Sequence, residues 1–129
     1  MESMSSELRE VILNSFCNVK EAIDNLYEWN KDLTDVNSLL SSSSGMQTLA
    51  ADCMMIQVIG EEIKKIDQKT NGELLGLRPE IPWKNVKSMR DRISHGYFDI
   101  NTDYVWDVIK NDLDPLSDAV SFFILFLSK

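Results

Sequence analysis

The spacing of apolar residues constrains this chain more than any other feature, and it is helical almost from end to end. Leu8, Val11, Ile12, Phe16, Val19, Ile23 and Leu26 recur every three or four residues, which sets them on one face of a helix from about Ser5 to Trp29. Leu49, Cys53, Ile56, Gly60 and Ile63, flanked by Met55, Ile59 and Ile66, form a second stripe on a helix from about Gly45 to Lys69. The mid-helix Gly60 suits close packing of a neighbouring segment. Between the two helices, Thr34-Asp35-Val36 can cap a short helix through Leu40, and Ser41 to Ser44 reads as a mobile hinge or loop. Asn71 to Ile81 is a loop by composition, with Gly72, Gly76 and Pro79. Pro82 suits the first turn of a third helix, where its missing N–H goes unused. That helix runs through Trp83, Val86, Met89, Arg90 and Ile93 and stops near His95, because Gly96 is a natural left-handed residue after a helix end. A last stripe joins Val105, Ile109, Leu113, Leu116, Val120, Phe123 and Leu127, interrupted by Asp114-Pro115 as a kink or a fresh start. No segment alternates as a strand does. The expected fold is an all-α, up-and-down bundle of four long helices plus a short one.

Composition narrows the function. A chain of 129 residues, 43% apolar and 26% charged, is expected to form one globular domain over residues 1–129. Its 13 basic against 21 acidic residues leave a net charge of −8, which argues against a surface that coats nucleic acid or anionic membrane. The longest apolar run, Phe122 to Leu127, is too short to span a bilayer. Glu2, Glu7 and Arg9 do not suit a secretory signal. Cys17 and Cys53 sit among apolar neighbours and read as small core residues of a reduced, cytoplasmic protein. Two thiols and a single histidine do not close a zinc site, so no metal and no cofactor is expected.

His95 is the only histidine, and it lies in the segment Met89-Arg90-Asp91-Arg92-Ile93-Ser94-His95-Gly96-Tyr97-Phe98. Two guanidinium groups, an imidazole and a phenol gather there at a helix end. Imidazole exchanges a proton near neutral pH, and guanidinium grips phosphate oxygens through paired N–H bonds. Together they suit RNA cleavage, in which a base takes the 2′-hydroxyl proton and a cation stabilises the charged phosphorane. The plain alternative is a basic helix end pairing with the helix dipole. On an ideal helix Arg90 and His95 point about 140° apart, whereas Arg92 and His95 share a face. Either the helix unwinds before His95, or Arg90 reaches across an interface, or Arg92 holds the phosphate. Asp91 can orient the imidazole or simply face water. Trp83 and Trp106 can stack bases, but their places on apolar faces favour core packing.

Arg90-x4-His95-x-Tyr97 resembles the Arg-x4-His-x-Tyr motif of HEPN-domain proteins, specifically the HepT-like toxins. The resemblance takes in Pro79-Glu-Ile-Pro-Trp83, Met89 to Arg92, Gly96 to Ile100, Val105-Trp106 and the upstream Ile59-Gly60-Glu61-Glu62, and roughly residues 5 to 120 follow the family pattern. It implies a HEPN-like bundle, a homodimer, and a metal-independent endoribonuclease toxin. The usual partner in that family is a small nucleotidyltransferase antitoxin. Carried over, Arg90 stabilises the phosphate, His95 is the acid/base, and Tyr97 is where the partner attaches nucleotide to silence the toxin; Asp91 and Arg92 are supporting candidates from their own places beside His95. A bulky anion there blocks and repels RNA. One histidine per chain also suits a two-fold axis that supplies a base and an acid from two copies. An inactive HEPN-like subunit that docks the nucleotidyltransferase is the alternative. The intact Arg90, His95 and Tyr97 favour the enzyme.

The charge is uneven. Arg78 to Arg92 carries five basic residues and two acidic ones, whereas Asp99 to Asp118 carries six aspartates and one lysine. The motif sits on a basic island in an acidic chain, compatible with a focused RNA-cutting cleft.

Overall fold

A computed structural model describes residues 4–93 and 99–129. Among them the expected all-α bundle is present, with no strand. Helix α1 (Ser6–Asn30) starts where the Ser5 hydroxyl accepts the Leu8 amide at 3.0 Å. The short helix is a 3₁₀ turn, Val36–Leu39, capped by Asp35. Helix α2 (Ser43–Lys69) begins inside the serine run, which corrects its reading as a hinge. Ser42 accepts the Gly45 amide at 2.9 Å, so a serine caps the helix and the next two form its first turn. The end of α2 turns through Asn71 and Gly72, both at positive φ. A 3₁₀ turn, Leu75–Leu77, interrupts the following loop.

The third helix is two short pieces rather than one. Helix α3 (Trp83–Lys87) ends at Ser88, and α4 (Met89–Ile93) follows at once. The last stretch is continuous: α5 (Thr102–Asp107), started by Asn101 accepting the Tyr104 amide, passes through a π segment, Val108–Asp112, into α6 (Leu113–Leu127). Asp114-Pro115 therefore neither breaks nor restarts the helix. Pro115 has no N–H for the carbonyl four residues back, and the wider π turn lies just before it.

The core sits where α1 packs on both α2 and α6. Ile12, Phe16, Val19, Ile23 and Leu26 of α1 are fully buried, as are Ile56, Ile59, Ile63 and Ile66 of α2. Phe16 stacks on Phe123 of α6 with centroids 4.9 Å apart. Val11 and Cys17 point outward instead, because both lie off the tightly buried stripe. Arg9 of α1 donates to the Leu127 carbonyl at 3.1 Å and satisfies the end of α6. Among the described residues, no helix is long and apolar enough to cross a membrane.

One polar pair is enclosed in this core. Asn30 donates from Nδ2 to Asp52 Oδ1 at 2.8 Å, and among the described residues neither Asn30 Oδ1 nor Asp52 Oδ2 has a hydrogen-bond partner. Asp52 has no exposed surface, and burial pushes its carboxyl up to about 7 despite the bond from Asn30.

Candidate active site

Gly60 determines where the candidate catalytic helix lies. A Cβ built on Gly60 would sit 3.3 Å from the Val86 carbonyl oxygen and 3.7 Å from that of Lys87. The last carbonyls of α3 thus rest directly against α2, as close packing at Gly60 predicts. Lys87 then reaches Asp67 of α2 at 2.7 Å and ties the same junction. With α3 held there, α4 begins alongside α2 and places Arg90 beside the α2 turn that carries Glu61.

Arg90 lies on the α2 side, where its Nη1 stands 3.5 Å from Glu61 Oε1. Both side chains are more than half exposed, so this pair contributes little stability and leaves the guanidinium accessible. The adjoining Glu62 is engaged otherwise. Burial alone would raise its carboxyl, but hydrogen bonds from Lys65 and Asn18 take it below the usual range. Arg92, two residues on, points about 200° from Arg90 on an ideal helix. It faces α5 and shares a groove with Tyr104; burial raises the Tyr104 hydroxyl and the Arg92 guanidinium opposes that rise. Asp91 is exposed. His95 and Tyr97 lie outside the described residues.

The basic island is partly neutralised in the fold. Arg78 pairs with Glu80 at 2.6 Å, Lys87 with Asp67 and Arg90 with Glu61. Two of those carboxylates come from α2, so the local sequence excess overstates the field at the surface. Trp83 and Trp106 are half-buried, in keeping with packing roles. The indole of Trp83 donates to the Arg78 carbonyl at 2.9 Å and its ring tilts against Phe123, while Lys110 lies 4.6 Å from the Trp106 ring centroid.

Beside α4 lies a groove of about 280 Å³ between α3, α4 and the π segment. Arg92, Tyr104, Asp107 and Asp112 are on its walls, with Val86 and Met89 among its apolar residues. On an α-helix, positions five apart such as Asp107 and Asp112 diverge by about 140°. Here the π segment brings both to one groove, and burial first, then the Asp107 charge, raises the Asp112 carboxyl. Sequence reading missed these residues because periodicity does not reveal a π turn.

Comparison with known proteins identifies residues 19–122 with the family described as ribonuclease HepT-like. A Thermococcus cleftensis protein named as a probable ribonuclease HepT is 28% identical over 98 residues, covering 76% of this chain and 82% of that protein. A Methanocaldococcus jannaschii protein named as a candidate RNase is 27% identical over 109 residues, covering 79% of this chain and 87% of its own length. No solved structure matches the chain.

Proposed function

The chain belongs to the HepT-like ribonuclease family, and on that premise we propose that it is a metal-independent endoribonuclease toxin acting as a cytoplasmic homodimer. The observation that carries the reading is the family match together with an exposed Arg90 on α4, in the motif Arg90-x4-His95-x-Tyr97 and in a loose surface pair with Glu61. In this reading His95 removes the 2′-hydroxyl proton and the 2′-oxygen attacks phosphorus. Arg90 stabilises the added negative charge, and the 5′-oxygen leaves with a proton from the symmetry-related His95. The products are a 2′,3′-cyclic phosphate and a 5′-hydroxyl. Asp91 and Arg92 support the site. The opposite facing of Arg90 and Arg92 supports a division of labour, with Arg90 at the reacting phosphate and Arg92 toward the neighbouring groove.

The partner is a nucleotidyltransferase antitoxin, which attaches nucleotide to the Tyr97 hydroxyl and places a bulky anion two residues from His95. Expressing the chain alone arrests growth in this account, and His95→Ala relieves the arrest. Co-expression of the partner adds nucleotide mass to the wild type and none to Tyr97→Phe. Toxicity that persists in His95→Ala argues for binding rather than catalysis. An inactive Arg92→Ala beside a fully active Arg90→Ala reverses the roles of the two arginines.

A further inference from the structure

We infer that the groove between α3, α4 and the π segment is a nucleobase subsite, taking a base that carries an amino group from the RNA strand being cut. The inference rests on the ribonuclease reading and adds a specificity determinant to it. Three observations point there.

The first is placement. Arg92 is on the groove wall, on the side of α4 opposite Arg90, so a base seated in the groove belongs to a nucleotide across the width of the helix, roughly 10 Å, from the reacting phosphate and within one or two positions of it along the strand. The second is size. At about 280 Å³ the groove falls just below the roughly 300–1,000 Å³ of sites that enclose drug-sized ligands, which suits one planar base rather than a folded peptide. The third is chemistry. The groove offers apolar surface from Val86 and Met89, an aromatic ring from Tyr104, the Arg92 guanidinium and three carboxylates, of which Glu80 is paired with Arg78 and Asp107 and Asp112 come from the helix that holds the π segment. Carboxylates accept hydrogen bonds and, when ionised, donate none. They recognise the amino groups of guanine, adenine or cytosine, while uracil presents no amino group. Asn111 donates to Asp107 at 2.5 Å and orients that carboxylate. Arg92 on the groove wall matches the phosphate that a bound base brings with it.

The shape of the wall is itself a product of the π segment. Such turns stand out at functional sites because they cost helix geometry and re-aim side chains. Here the re-aiming sets Asp107 and Asp112 on one groove, where the Asp107 charge opposes ionisation of Asp112, and an amino group donating to either carboxylate offsets that repulsion.

The test uses the full chain and a degenerate single-stranded RNA pool, with cleavage ends sequenced for wild type, Asp107→Asn and Asp112→Asn. Wild type is expected to prefer guanine, adenine or cytosine over uracil by about tenfold or more at one position within about two nucleotides of the cut. Both variants are expected to bring that ratio close to one. Asp112 is exposed, and its neutralisation removes repulsion, so the Asp112→Asn melting temperature should hold or rise and misfolding does not confound the result. Cleavage without a base preference, or with a preference unchanged in both variants, overturns the subsite and leaves the ribonuclease reading standing. A wild-type protein that does not cut RNA overturns both.

Discussion

Replacing Asp52 by Asn should make the protein more stable at pH 8 and leave it nearly unchanged at pH 4. In the unfolded chain this carboxyl titrates near its ordinary 3.8, and in the fold burial pushes it up to about 7. The folded state therefore binds the proton more tightly, and the stability it contributes is present in full below pH 4 and lost as pH rises through 7. A shift of about three units corresponds to about 4 kcal/mol, a large part of the 5–15 kcal/mol that holds a typical domain together. The geometry gives the same sign independently. Asn30 Oδ1 and Asp52 Oδ2 are both buried acceptors without a partner among the described residues, and a proton on Asp52 supplies a donor to the pair. The amide introduced by Asp52→Asn supplies that donor at every pH. Urea denaturation followed by far-UV circular dichroism at pH 4 and pH 8 measures the difference. Asp52→Asn is expected within about 1 kcal/mol of wild type at pH 4 and about 3–4 kcal/mol more stable at pH 8. Equal destabilisation at both pH values would refute the reasoning, since it would mean that the native pair uses an ionised carboxylate.

Three glycines separate backbone contact from helix propensity. A Cβ at Gly45 would lie 2.3 Å from the Ser38 carbonyl oxygen, so Gly45→Ala is expected to cost about 2 kcal/mol after its propensity gain, lowering Tm by about 8 °C. Gly76→Ala meets no atom of the described residues within 4 Å and should leave Tm unchanged or slightly higher. Gly60→Ala needs the Val86 carbonyl to give way only slightly and is expected within about 1 kcal/mol of wild type, whereas the γ-carbons of Gly60→Val should cost about 2–3 kcal/mol and displace α4. Phe123→Ala removes a ring that packs on both Phe16 and Trp83 and should cost about 3–5 kcal/mol by thermal melting.

The long helices were legible because burial of one face imposes a period that the residues display directly. Phe16, Ile56 and Phe123 are core in sequence and in structure for that reason. The misread places are those where a tertiary contact or a cap decides. Serine runs suit loops by composition, yet a serine oxygen is also a strong helix cap, and Ser42 acts as one. The break at Ser88 carries no glycine or proline signal within α3 and α4; α3 ends where its carbonyls meet Gly60, far away in the chain. The π segment is equally silent in the pattern, although Pro115 hinted that the ladder would be disturbed. Cys17 stands next to a buried phenylalanine in sequence and one helical step off the core face in space. As for the site, the sequence singled out Arg90, Asp91 and Arg92, and the fold separates the two arginines onto opposite sides of α4. Tyr104, Asp107 and Asp112 emerged only from the folded chain.

The most direct measurement is RNA cleavage by the purified chain in excess chelator, comparing wild type with His95→Ala and Arg90→Ala of matched melting temperature. The account predicts cleavage by wild type without added metal, products ending in 2′,3′-cyclic phosphate, and a loss of at least about a hundredfold in either variant. Cleavage that survives His95→Ala at the wild-type rate, or that vanishes in chelator, would contradict it.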